Sequence, residues 1–311
     1  MTKLYSLLAM AIILCLAIFA SCNSNNKEQN AKKVVLDTVS LSSKSFALAY
    51  QDGQKIVATS IDTMKQISFG GATDPSISPD GNKLAYTVTD SAGERSIWIA
   101  DLENKSQLQV HADSKNYYGA VWSADGVHIA FSVLNEKNIW KIGLVKNDNT
   151  GFIMLDGHSE TYVNSPTWKS KNEIVAHDLN NLYTFNLNGE IINTTPLKNL
   201  IGAAYHIAGD NIFFYANQGK TIIFSAYFGP GVPELHGKAN AVFAMDLLSK
   251  DVQRISPNGM NVSNLFVTAD DRIFFSGAEK PFTESKIYFS DLNGHTKTIV
   301  DKGTNPTGAL K

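Results

Sequence analysis

Five times along this chain a strand is written as an apolar residue, an aromatic one, three variable positions and a leucine. The copies are Ile97-Trp98…Leu102, Ile139-Trp140…Leu144, Leu182-Tyr183…Leu187, Val242-Phe243…Leu247 and Ile287-Tyr288…Leu292. Another β-rich run precedes each copy, and the first two of these runs follow a tight turn. The turns are Ser78-Pro79-Asp80-Gly81 before Leu84-Ala85-Tyr86, and Ser123-Ala124-Asp125-Gly126 before Ile129-Ala130-Phe131. Leu84, Ile129 and Ile174 follow one another at steps of 45 residues. A period of about 40–50 residues with several short strands in each copy is the signature of a β-propeller.

The expected fold is all-β: a six-bladed propeller of four-stranded antiparallel blades over residues 36–311. The second blade starts at Asp74 and the third at Ala120. The fourth runs from Pro166 to Ile192, and the sixth from Asn264 to Val300. In the turn of the second blade Pro79 presets φ, Asp80 bonds nearby amides and Gly81 takes positive φ. The fifth blade admits two registers. One sets Ile212-Phe213-Phe214 against Ile273-Phe274-Phe275. The other uses Gln218-Gly219-Lys220 as the turn before Ile222. A seventh, degenerate blade is the alternative count. The first blade shows three strands, Phe46–Tyr50, Ile56–Ile61 and Lys65–Ser68. Its fourth is expected from the far end, where Thr304-Asn305-Pro306-Thr307 echoes Thr73-Asp74-Pro75-Ser76. Such a strand closes the ring and hides a sheet edge.

Asp74-Pro-Ser-Ile-Ser-Pro-Asp-Gly-Asn-Lys-Leu-Ala-Tyr86 followed by Ser96-Ile-Trp-Ile-Ala-Asp-Leu102 resembles the WD40-like repeat of TolB-type six-bladed propellers. The likeness covers about residues 40 to 310. The stretch from Cys22 to Val35 is too short for that family's amino-terminal α/β domain. The whole resembles the small envelope lipoproteins of Bacteroidetes. The resemblance implies a module that binds a ligand or docks a protein.

The amino-terminal stretch reads as a targeting segment at residues 1–21. Lys3 gives a positive start, and Leu4 to Ala20 is an apolar run too short for a span. Phe19-Ala20-Ser21-Cys22 resembles the lipobox of bacterial lipoproteins, so Cys22 is the expected lipidation site. The two cysteines are Cys15 and Cys22, so cleavage leaves Cys22 without an intrachain partner. Residues 22–35 read as a polar tether, whose Asn-rich part from Asn23 to Lys33 spans roughly 15–20 Å. The expected address is the cell envelope, through a lipid anchor in the outer membrane. A net charge of -2 without a basic run gives no footprint for nucleic acid.

Catalytic sets are missing from the pattern. Gly-x-Ser-x-Gly does not occur, and no His-x-x-x-His or Cys-x-x-Cys pair offers a metal site. His111, His158 and His295 fall in turns, His128 beside a turn, His177 at a strand end and His236 in the insertion of the fifth blade. His206 is the one histidine placed near an innermost strand. No cofactor is expected.

Binding is expected where innermost strands begin, since these positions approach one mouth of the channel. They include Asp74, Tyr118, Tyr162, Asn164, Tyr205, His206, Asn264 and Asn305. Aromatic faces with amide and carboxylate side chains suit a sugar or a peptide; packing between blades is the competing use of the tyrosines. The insertion around Tyr227 and Phe228, with Gly229, Pro230, Gly231 and Pro233, reads as a long loop on a rigid scaffold. It either docks a partner or packs onto a blade. The expectation is a non-catalytic envelope lipoprotein that binds a protein or glycan. The alternative is a lyase or hydrolase acting on polysaccharide in the channel.

Overall fold

The computed structural model describes residues 47–60, 66–156 and 160–309. The expected signal segment, Cys22, the tether and His158 lie outside the described residues, as do Phe46, Ile61 and Lys65 of the first blade.

In the first blade β1 (Leu48–Asp52), β2 (Lys55–Thr59) and β3 (Gln66–Gly70) form a meander. The second holds β4 (Ala72–Ile77), β5 (Lys83–Thr89), β6 (Arg95–Asp101) and β7 (Gln107–Gln109). The third holds β8 (Tyr117–Trp122), β9 (His128–Leu134), β10 (Trp140–Lys146) and β11 (Ile153–Leu155). The fourth holds β12 (Asn164–Ser170), β13 (Glu173–His177), β14 (Asn181–Asn186) and β15 (Ile191–Pro196). A single helical turn, α1 (Leu197–Leu200), leads to the fifth blade. That blade holds β16 (Phe213–Ala216), β17 (Thr221–Val232), β18 (Gly237–Asp246) and β19 (Val252–Arg254). The sixth holds β20 (Met260–Val267), β21 (Ile273–Glu279), β22 (Lys286–Ser290) and β23 (Thr296–Val300). Finally β24 (Thr304–Gly308) returns to pair antiparallel with β1, so six four-stranded sheets complete the ring. The expected six-blade count and the closing strand are both present. No helix among the described residues is long and apolar enough to cross a membrane.

In the second, third and sixth blades local side-chain bonds set the first hairpin. The Ser78 hydroxyl donates to Asp80 Oδ1 at 2.6 Å and accepts from the Lys83 N–H at 2.9 Å, while Gly81 sits at φ 72°. Ser123, Asp125 and Gly126 repeat the pattern, with 2.6 Å between the first two. In the sixth blade Thr268 donates to Asp270 at 2.5 Å and Asp271 takes the left-handed place at φ 67°. Asn and Asp are the side chains that tolerate that conformation best after glycine.

Packing between neighbouring blades makes the core. Ala85, Ile97 and Ile99 of one blade meet Trp122, Ile129, Phe131 and Val133 of the next. Further round, Ile223 and Val242 meet Val262, Ile273 and Phe275. The innermost strands are also stitched together. Trp122 Nε1 donates to the Ser76 carbonyl at 2.8 Å, Trp168 Nε1 to the Val121 carbonyl at 3.0 Å, and the Thr167 hydroxyl to the Phe213 carbonyl. At the seam a Cβ on Gly308 would come within 2.7 Å of the Phe274 ring, so only glycine allows β24 to lie that close.

The fifth blade takes the register with Gln218-Gly219-Lys220 in the turn. Phe213 pairs with Phe224 and Phe214 with Ile223, so Ile222 and not Ile212 starts the second strand. The insertion is also not a loop. β17 and β18 run past the blade as an extended hairpin, pairing Tyr227 with Asn240 and Val232 with Gly237 around a register break. Once the ladder exists, the backbone bonds of this polar-edged segment are satisfied by its own partner strand, which a free loop lacks.

Candidate binding mouths of the channel

Each innermost strand begins at what we term the front of the disc and ends at the back. Counting back along the strands places Asp74, Gly119, Ser165, Asn264 and Asn305 at the same step of five of them, with Ile212 at that step just before β16. All six line one cavity of about 190 Å³ on the axis. At four of these six positions the ladder to the second strand breaks register, and at Asn264, which pairs with Ser276, the break lies one residue earlier. Asp74, Gly119, Ser165 and Asn305 stand there in left-handed backbone, at φ 49°, 70°, 53° and 48°. A bulge of this kind re-aims side chains and ends regular pairing. It explains why short polar residues, which tolerate αL, recur at the front mouth.

Four of the expected binding residues, Asp74, Tyr118, Asn264 and Asn305, do line this cavity. Asn264 is anchored: its Oδ1 accepts from the Asn305 N–H at 3.1 Å and from the Ser276 hydroxyl at 2.8 Å. Asn305 Nδ2 donates to Gln51 Oε1 at 3.0 Å. Asp210 adds a second carboxylate to the lining. Ser76 also borders this space; its hydroxyl, on a residue 3% exposed, is buried and has no partner among the described residues.

Asn164 sits beside the mouth instead of in it. Its Nδ2 donates to the Gly209 carbonyl at 3.1 Å and to the Tyr162 hydroxyl at 3.3 Å, while its buried Oδ1 has no partner. Tyr162 is exposed at the rim; partial burial and the nearby Tyr118 push its phenol up.

Tyr205 and His206 do not belong to the channel. His206 makes an isolated bridge with Tyr227, its N–H donating to the Tyr227 carbonyl at 3.0 Å. Tyr205 stacks on Phe228 at 4.9 Å and meets Phe243 edge-on at 4.9 Å. Together Tyr205 and His206 border a separate cavity of about 630 Å³ beside Leu179 and Leu197. The reason is the extended hairpin: it supplies the strand that His206 pairs with, so the segment before β16 is drawn outward to it. Phe228 therefore packs on the blade, although it remains partly exposed.

The residues of the back mouth are not among those expected from the sequence. There a cavity of about 360 Å³ is lined by Trp122, Trp168, Tyr215, Lys169, Lys171 and Asp271, among others. Burial, with Glu173 nearby, pushes the Tyr215 phenol up to about 12. Lys169 lies 5.8 Å from the Tyr215 ring and 3.2 Å from Glu173. The available signal was the pair Trp122 and Trp168, which take the same step of the innermost strand in adjacent blades. Val121, Phe214 and Phe266 border both cavities, and the two phenylalanines meet edge-to-face at 5.8 Å. They form an apolar waist between the mouths.

His177, expected at a strand end, has a structural role. His177 is fully buried; its Nδ1 accepts from the Leu179 N–H at 3.3 Å, and its Nε2 lies 2.8 Å from the Asn211 carbonyl. Burial lowers its pKa, so it is held neutral. Among the described residues no group of three or more His, Cys, Asp and Glu side chains is arranged to hold a metal ion.

No protein-family model matches the sequence, and no curated protein matches it. Solved structures do match in fold. TolB from Acinetobacter baumannii superposes with a TM-score of 0.59 at 13% identity, over 86% of this chain and 66% of that one. A putative TolB from Agrobacterium tumefaciens gives 0.57 at 14% identity, over 84% and 92%. A puromycin-hydrolyzing peptidase from Mycobacterium tuberculosis gives 0.53 at 12% identity, over 82% of this chain and 44% of that one. Propellers of this type thus occur in chains of differing activity, and a fold shared at such identity speaks for architecture only. In architecture, this domain is a TolB-like six-bladed β-propeller.

Proposed function

We propose that the propeller is a non-catalytic binding module that takes a protein or glycan partner at its front mouth. The observation that carries this reading is the convergence of one equivalent position from all six blades on a single cavity rich in hydrogen-bond acceptors. Such groups, fixed by a rigid scaffold, give orientation and specificity to a bound ligand. The apolar waist of Phe214 and Phe266 supports a mouth that ends in a floor. In this reading the protein is a lipoprotein of the outer membrane, anchored through Cys22, and the tether holds the disc close to the bilayer.

The test is capture of envelope proteins and glycans by the full-length lipidated protein, repeated with variants. Tyr118→Ala should abolish capture with the fold intact, whereas Tyr205→Ala and His206→Ala, outside the channel, should not. Loss of capture in the second pair alone moves the site to the lateral cavity. Turnover of any captured polysaccharide supports the lyase or hydrolase alternative instead. Cys22→Ser should leave an uncleaved precursor without lipid.

A further inference from the structure

Beside the front mouth, Arg95 opens β6 and reaches the start of the third blade. Its Cζ stands 3.7 Å from the centre of the Tyr118 ring and 5.2 Å from that of Trp140. The two rings meet at 5.2 Å and 89°. Nε donates to Asn116 Oδ1 at 3.0 Å. The guanidinium is thus held on one face by aromatic rings and on one edge by an amide. Its two terminal amino groups have no partner, and no carboxylate pairs with it, among the described residues. A half-buried, pre-oriented guanidinium with its fork unused is an arrangement suited to bidentate recognition of a planar carboxylate.

Around it the chemistry favours a sugar. Tyr162, Tyr118 and Trp140 give flat apolar surfaces on which a pyranose ring can lie. Inside the mouth the carboxylates of Asp74 and Asp210 are acceptors. Sugar hydroxyls donate to such groups. A phosphate monoester carries more negative charge than a carboxylate and would meet Asp74 and Asp210 with stronger repulsion, and a tetrahedral sulfate matches the planar fork less well than a carboxylate does. Resting on the front-mouth reading above, we propose that the ligand is an acidic glycan. A uronate carboxylate is read by Arg95, and the sugar ring is carried by Tyr118, Trp140 and Tyr162.

The experiment measures binding of hexagalacturonate and of its fully methyl-esterified form to the full-length protein in detergent. The acid should bind about tenfold more tightly or better, as a charge-assisted pair implies, with the advantage falling as salt rises. Arg95→Gln should erase the preference while the ester still binds; Arg95→Lys should keep part of it, since the charge remains but the fork is lost. Circular dichroism and thermal melts of both variants confirm that the propeller is intact. Equal affinity for acid and ester, a preference that survives Arg95→Gln, or no binding of the acid overturns the proposal. The front-mouth reading fails separately, when Tyr118→Ala leaves all binding unchanged.

Discussion

At the front of the disc the six inner strands begin with Asp74, Ser165, Asn264 and Asn305 among their residues; at the back they finish beside Trp122, Trp168 and Tyr215. The same strands therefore build a small acceptor-rich cavity at one end and a larger aromatic one, with Lys169 and Lys171, at the other. The difference follows from backbone. At the front the ladder breaks register, and left-handed residues replace regular pairs, which selects short polar side chains. At the back the ladder runs unbroken into a tight hairpin in most blades, and large rings fill the space where the strands diverge. A propeller can thus vary the chemistry of its two mouths independently, with the Phe214–Phe266 waist as divider.

The most severe way to break the comparison is to remove the strand that serves both mouths. β24 gives Asn305 and Pro306 to the front and Gly308 to the back. It also offers the Thr307 hydroxyl to the Ile77 N–H at 3.3 Å, and just beyond it the Ala309 carbonyl accepts from Arg272 at 2.8 Å. A chain ending before Thr304 should lose cooperative unfolding in a thermal melt and expose apolar surface to a fluorescent dye. An unchanged melt shows that the ring holds without its closing strand.

A smaller effect is expected at the divider. Phe214 is 6% exposed. Phe214→Ala should cost about 3–5 kcal/mol in denaturant unfolding and join the two cavities. A crystal structure of the variant checks the second point. A loss well below that range shows that neighbouring side chains collapse into the gap and the waist is plastic.

The smallest effects separate two aspartates near the back. Burial opposes ionisation of Asp80, but bonds from Ser78 and Asn82 outweigh it and hold the carboxyl below its usual range. Its folded pKa is depressed, so its contribution is present above the ordinary carboxylate value and lost as pH falls through the folded one. Asp80→Ala should cost about 1 kcal/mol at neutral pH and flatten the acid limb of the stability curve. Asp271 is shifted the other way, by burial and then by Asp270, despite the bond from the Asn217 N–H. Its charge opposes folding at neutral pH, and that opposition is relieved as pH falls. Asp271→Asn should stay within about 0.5 kcal/mol of the parent or gain slightly, as read by unfolding at pH 7 and pH 4. Equal losses in the two variants remove the distinction between them.

Much of this was legible in the residues. The Ser-x-Asp-Gly turns encode hairpins through local bonds, so Ser78 and Ser123 announce their blades, and the echo of Thr73 to Ser76 at Thr304 to Thr307 announces the closure. Asp74, Asn264 and Asn305 were found because their place depends only on counting along strands. His206 was misplaced because its position depends on pairing with Tyr227, a contact created by a hairpin with no counterpart in other blades. The fifth register was ambiguous because Ile212-Phe213-Phe214 and Ile222-Ile223-Phe224 are both apolar β runs. The Lys220 carbonyl accepting from the Leu247 N–H at 2.9 Å mirrors Asn82 and Leu102, and that pairing selects the second run. Arg95 went unseen because its meaning comes from rings in the neighbouring blade.

The closing strand has a consequence for biosynthesis. Gln51 and Asn305, bonded side by side, are separated by 254 residues of chain. During synthesis the first blade must wait with its inner edge unpaired until β24 is present. Contacts this distant in sequence make folding slow and leave the intermediate open to pairing with the wrong strand. Five blades can form as the chain emerges; the disc itself is completed in one late step.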